Sequence, residues 1–263
     1  MTIPRRAFLK LLTAMIAPAG WAATPHAEAS RLGREFLAGL FDPQLGLLPE
    51  FLGAKTYWLW HDNYLAAKVL SQSHPGVARS IVAAIQREGI RQSDGKTELF
   101  FGEGRGVLPF RQYDLIEVRK IGDKVIRTEV ATERVMTGWE SYADLLFIAS
   151  IAEGKHPAAK VHWDSAMKLW DGKGFVDAAF KEHRIYATYQ LALALLAGRK
   201  LSPPADFPPA LLEQLLALQI DSGGWITDYD ADGKRIGVAN VETSCLAILA
   251  IEESPHAEQP FPN

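Results

Sequence analysis

Several features that would give a protein away are scarce in this chain. Cys245 is the only cysteine among 263 residues, so no intrachain disulfide can form. Its thiol sits in the apolar run Leu246-Ala247-Ile248-Leu249, where a buried, inert role is expected. Excess charge of either sign is also missing. The net charge is -3, the pI is near 6.2 and Lys and Arg are scattered, so no nucleic-acid partner is expected and nothing points to an anionic membrane surface. The N-terminal apolar stretch, Leu11 to Ala23, falls short of the ~20 residues that a stable membrane span needs. No His-Glu-x-x-His, no paired-cysteine motif, no complete Gly-x-x-x-x-Gly-Lys-Ser/Thr phosphate loop and no Gly-x-Ser-x-Gly elbow is present. Neither a metal nor an organic cofactor is therefore expected. His61, His74, His156, His162 and His183 lack metal-ligand spacing.

Hydrophobic residues at 48% and charged residues at 22% are ordinary for one globular domain with a sizeable core. Apolar positions recurring at three and four predict helices over residues 31–41, 62–71, 75–88, 139–152, 157–170, 178–196, 208–219 and 241–252. Two of them, 139–152 and 241–252, are apolar on most sides, as buried helices are. Tyr113 to Val130 breaks this pattern by alternating and by its β-branched content, with a turn at Ile121-Gly122-Asp123-Lys124. It reads as a β-hairpin in an excursion over about residues 97–131, either functional or a decorative edge. Gly102-Glu103-Gly104-Arg105-Gly106 reads as loop.

A weak internal repeat runs through the chain. Asp42 leads to Gly46-Leu47-Leu48-Pro49-Glu50, Asp171 to Gly174-Phe175-Val176-Asp177, and Asp221 to Gly224-Trp225-Ile226-Thr227-Asp228. Each unit has an acid, a glycine for the corner, a bulky apolar pair to plug it and a further carboxylate. Gln219-Ile220-Asp221-Ser222-Gly223-Gly224-Trp225 resembles the Gln/Trp corner of terpene cyclases and related α/α-toroids. Gly46 to Glu50 together with Tyr57-Trp58-Leu59-Trp60-His61-Asp62-Asn63 is similar to corners of six-hairpin glycosidases. The resemblance covers perhaps 60 residues in patches. It implies an all-α fold, an α/α-toroid of helical hairpins with glycine-rich corners, into which the β-hairpin is inserted. The acidic Asp-x-Asp-Asp of the cyclases is absent, and no two aspartates are adjacent, which counts against that branch.

The N-terminus, Arg5-Arg6-Ala7-Phe8-Leu9-Lys10 followed by the apolar stretch, resembles a twin-arginine export signal, with Pro4 where such signals carry Ser or Thr. Residues 1–29 are expected to be the signal and 30–263 a single domain, with cleavage after Ala22 or Ala29. This implies passage through the twin-arginine translocase and a periplasmic or secreted protein.

Carboxylates beside aromatics suit glycan chemistry, because sugar faces stack on Trp and Tyr while two carboxyl groups of split pKa serve as acid and base. Asp62 and Glu140 are the candidate catalytic pair. Trp60, His61, Tyr142, Asp144, Trp225, Tyr229 and Glu242 are candidate substrate-binding residues. Each acid has a structural reading too. Asp62 and Asn240 suit helix N-caps, Glu140 a capping box with Thr137, and Glu242 the positive end of a helix. Glu140 and Asp144 would share one face of a helix starting at Trp139. Asp228-Tyr229-Asp230-Ala231-Asp232-Gly233 opens like a calcium loop, but position twelve is Ala239, and a turn between two short strands is the preferred reading. The expected function is binding, with or without cleavage, of a carbohydrate chain by hydrolysis or by lyase chemistry. In the lyase case Tyr142 or His61 takes a proton beside a uronate. The alternative is a non-catalytic periplasmic scaffold whose acids are caps.

Overall fold

The computed structural model describes residues 25–89, 95–103 and 107–252. The proposed export signal up to residue 24 and the centre of the glycine-rich loop lie outside the described residues. Among the described residues no helix is long and apolar enough to cross a membrane.

The expectation of an all-α toroid is overturned, because the fold is mixed, 49% helical and 20% strand, with two small β-sheets. In chain order the helices are α1 (Pro25–Gly39), α2 (Leu65–Leu70), α3 (Pro75–Arg87), α4 (Lys96–Leu99), α5 (Ala143–Glu153), α6 (Pro157–Met167), α7 (Ala178–His183), α8 (Thr188–Lys200), α9 (Pro209–Ala217) and α10 (Val241–Ile251). The strands are β1 (Thr56–Trp58), β2 (Arg111–Ile121), β3 (Lys124–Val135), β4 (Tyr186–Ala187), β5 (Ile226–Tyr229) and β6 (Arg235–Ala239). One sheet has the order β1-β3-β2 and the other β4-β5-β6. The hairpin of β2 and β3 is the one read from alternation, somewhat longer at both ends. What the alternation did not reveal is its parallel pairing with β1, in which Tyr57 opposes Ile126.

Helices α5, α8 and α10 bury nearly their whole circumference, which is why their sequences are apolar on most sides. α8 packs against both α5 and α10, α10 also against α1 and α2, α3 covers α2, and α6 covers α5. The approach of α1 to α10 depends on Gly33, since a Cβ there would lie 2.7 Å from the Trp225 ring. Trp225 is fully buried, and its Nε1 donates to Leu215 O at 2.9 Å. The segment 178–196, read as one helix, is broken. Arg184 takes a left-handed conformation (φ 60) after α7, and β4 intervenes before α8.

The corners repeat in two of the three places. Asp42 Oδ1 accepts from Gln44 N and Leu45 N, and Asp171 Oδ1 accepts from Lys173 N and Gly174 N. The other oxygen of each takes the hydroxyl of a tyrosine 15 residues on, Tyr57 or Tyr186. At the third corner Gln219 replaces the acid, its Nε2 donating to Gly223 O and Ala29 O, each at 2.8 Å. Gly223 there has φ +95, and a Cβ would meet Leu32 O at 2.2 Å, so only glycine fits.

Candidate active site

The segment after β1 does not start as an α-helix. Leu59–Tyr64 is a π-helical turn, and it is held open by Asn63, whose Oδ1 accepts from Leu48 N at 2.7 Å. The Asn63 amide also donates to Leu48 O and Trp58 O at 3.0 and 2.7 Å. Such turns recur at functional sites because the widened backbone re-aims side chains. Here the widening turns Asp62 inward. Asp62 is 1% exposed, and its Oδ2 is buried with no hydrogen-bond partner among the described residues. The expectation that Asp62 caps a helix is therefore corrected. It lies inside the π-helical turn, and the start of α2 carries no side-chain cap.

Backbone pairing brings two further acids to it. Glu50 N donates to Thr56 O at 2.9 Å, Val241 N donates to Glu50 O at 3.0 Å, and Phe51 bridges to Asn240. Asn240 is the N-cap expected of it, with Oδ1 accepting from Thr243 N at 2.9 Å. Glu242 follows in the first turn of α10. Burial pushes the Asp62 carboxyl well above the usual carboxylate range, and the charges of Glu242 and Glu50 push the same way.

Asp144 stands in the first turn of α5. The Tyr189 hydroxyl donates to its Oδ2 at 3.2 Å, while Oδ1 is buried without a partner among the described residues. Burial raises the Asp144 pKa, helped by Asp177, while Lys96 nearby opposes. Burial also raises Tyr189 far above a free phenol, with Asp144, Glu242 and Asp177 adding to it. Asp177 is a structural acid. Its Oδ1 caps α7 through Phe180 N at 3.0 Å, and its Oδ2 accepts from Ala143 N and Gln190 Nε2, which ties together the starts of α5, α7 and α8.

The other expected residues divide sharply. Glu140 is exposed on a 3-10 turn, Trp139–Ser141. Gly138 (φ 73) precedes that turn and Tyr142 is extended after it, so no capping box forms and Glu140 shares no helix with Asp144. Trp225 and Tyr229 are 0% and 1% exposed and are core, not ligand platforms. Tyr229 donates its hydroxyl to Lys173 O at 2.8 Å and stacks on Tyr186. Tyr142 is half-buried and packs against the core. Trp60 is half-buried, its ring 4.9 Å from Tyr64, and its Nε1 is a buried donor without a partner among the described residues. His61 packs 4.8 Å from Trp58. The acidic turn is a hairpin turn between β5 and β6, with Asp230 Oδ1 accepting from Asp232 N and Lys234 N. Among the described residues no cluster of three His, Cys, Asp or Glu could hold a metal.

No family model, curated protein or solved structure matches the chain. Its chemistry has to be read from its residues.

Of the site, reading the sequence missed Tyr189 altogether and passed over Glu50 and Asp177, noted only as the acids that end their corners. The repeat itself was the available signal, because both stand at the same place after the glycine and apolar pair.

Proposed function

We propose that the protein is an exported enzyme that binds a carbohydrate chain and hydrolyses it with carboxylate acid–base chemistry. Asp62 is the acid and Glu242 the base. The observation that supports this most is the Asp62 side chain itself, buried, with one oxygen unpartnered and two acids beside it. A raised pKa lets such a carboxyl hold its proton at pH values where an ordinary aspartate has lost it, as a general acid requires. Asp62 gives that proton to the glycosidic oxygen as its bond to the anomeric carbon breaks. Glu242 takes a proton from the water that adds to the same carbon, so one water is consumed per bond. Trp60 and Tyr64 offer rings for a sugar face. The twin-arginine signal puts this activity outside the cytoplasm.

The scaffold alternative draws on Asp177 and Asn240, which are caps with every role accounted for inside the fold. Asp62 has no such role. A panel of polysaccharides incubated with the wild type, Asp62→Asn and Glu242→Gln separates the two readings. Turnover by the wild type, reduced at least ~100-fold in each variant, is the expected result. No turnover of any glycan, or full activity in both variants, leaves the scaffold reading ahead.

A further inference from the structure

We propose that the protein has a second binding site, separate from the turn that carries Asp62, in which Arg87 and Arg119 together hold the carboxylate of an acidic sugar. The sugar as carrier rests on the carbohydrate reading above; the carboxylate does not.

The site is a cleft of about 500 Å3, walled by the first corner at Gln44 and Leu45, by Arg87 in the last turn of α3, and by the end of the long hairpin from Arg119 to Lys124. Volumes of that order hold small ligands. Glu88, whose side chain is 5% exposed, fixes both arginines: its Oε1 accepts from Arg119 Nη2 at 2.6 Å and lies 3.5 Å from Arg87 Nε. Arg87 Nη2 also donates to Leu45 O at 2.7 Å. A β-bulge brings Arg119 to this place. The register slips between Glu117 and Arg119, so Arg119 rather than Val118 stands opposite Ile126, which is fully buried. Opposed residues share a face of the sheet, and the bulge therefore turns Arg119 towards the body and Glu88.

What the cleft leaves unpaired is cationic. Asp42 is filled by Gln44 N, Leu45 N, the Tyr57 hydroxyl and Lys124. Asp123 lies 3.2 Å from Lys55. Four cations, Arg87, Arg119, Lys124 and Lys55, thus face the three acids Glu88, Asp42 and Asp123, and one positive charge is in surplus. Arg87 Nη1 and the Nε and Nη1 of Arg119 have no protein partner among the described residues. These donors belong to planar forks that match a carboxylate, and Glu88 and Leu45 O hold them in place before a ligand arrives. A single surplus charge suits a monoanion, whereas a phosphate close to two negative charges exceeds it. Leu45 and Ile121 add apolar wall for a sugar ring to lie against.

The test is calorimetric titration of the Asp62→Asn protein, so that no bound chain is cleaved. Short galacturonate oligomers are compared with galactose oligomers, inorganic phosphate and oligoglutamate. The galacturonate chain should bind at least ~10-fold tighter than the neutral one, the scale of one charged hydrogen bond. Arg119→Lys keeps a cation on Glu88 but loses the fork, and it should remove that preference, as should Arg87→Gln. Either variant suffices if the other does not fold. A uronate preference that survives in both folded variants overturns the site, and phosphate bound as tightly as galacturonate overturns the carboxylate. Equal binding of the two glycans overturns the acidic class and leaves the carbohydrate reading intact. Binding of oligoglutamate with no glycan bound overturns the sugar as carrier. Binding of none of them overturns the whole proposal, while the carbohydrate reading still answers to the polysaccharide panel.

Discussion

Replacing Asp62 with asparagine should make the protein more stable at neutral pH and far less active, a combination a structural residue cannot give. The side chain is 1% exposed, its Oδ2 has no partner among the described residues, and Glu50 and Glu242 act on it. The folded-state pKa is raised, so the native protein holds a proton that the unfolded chain releases. Stability therefore falls as pH rises from the ordinary carboxylate range through the raised value, and the loss is complete above it. Asparagine has the same shape and no charge to lose. A buried group left unsatisfied costs about 1–3 kcal/mol, and the new amide can donate towards the neighbouring carboxylates, so a gain of about 1 kcal/mol at pH 7 is a modest expectation. For a chain of this size that is a rise in Tm of about 2–4 °C. The gain should vanish in acid below the ordinary carboxylate range, where Asp62 is protonated in both states. Calorimetric melts of both proteins from pH 3 to pH 8 measure it, beside turnover, which should fall at least ~100-fold. A variant that melts several degrees below the wild type at pH 7 would refute the reasoning, because the carboxylate would then be holding the fold together.

Trp225→Ala should cost about 3–5 kcal/mol in urea denaturation, because this ring is fully buried against Gly33 and donates to Leu215 O; a loss of binding with no loss of stability would return it to the ligand. Asp42 behaves oppositely to Asp62: burial pushes its pKa up, but Lys124, Tyr57 and the backbone N–H groups of Gln44 and Leu45 outweigh that and hold it below the usual range. Its contribution is therefore present above the ordinary carboxylate pKa and lost as pH falls through the lowered value, so Asp42→Asn should destabilise by about 1–2 kcal/mol at pH 7 and little at pH 2. An equal loss at both pH values would show that the lysine pair is not its source. Changing Arg5 and Arg6 to Lys should trap the precursor in the cytoplasm on fractionation, and normal export would point to general secretion instead.

Much of the helical body was legible because a three-to-four apolar repeat persists over ten residues or more, and the long hairpin because alternation does. Strands of two to five residues carry no such signal. β1 and β4 exist only because chain segments far off in sequence pair with them, Val125 to Arg127 in one case and Asp228 to Tyr229 in the other. The hairpin of β5 and β6 could be read, but only through its turn residues. At the site, Asp62 was found through its aromatic neighbours and Glu242 through its place in a first turn. The cap assigned to Asp62 was wrong because a π-helical turn has no sequence period of its own; Asn63 bonding across to Leu48 makes it. Glu140 was paired with Asp144 on the assumption of one helix, and Gly138 and Tyr142 break that helix before Asp144 is reached.

The repeat also supplies an internal control on what counts as a site. Glu50 and Asp177 end equivalent corners, and each corner is closed by an aspartate–tyrosine bond 15 residues long in sequence. Asp177 accepts from Phe180 N, Ala143 N and Gln190 Nε2, so its charge is spent on joining three helix starts. At the first corner that joining is done by the neutral Asn63, which bonds both backbone groups of Leu48. An amide satisfies such a junction without bringing a charge into the core, and Asn63 therefore leaves Glu50 and Asp62 with no structural duty to discharge. A buried acid such as Asp62, with no structural work and with the charges of Glu242 and Glu50 acting on it, costs stability. In a fold that caps with Asp177 and clamps with Asn63, that cost at Asp62 is the reason the proposed function places its acid there.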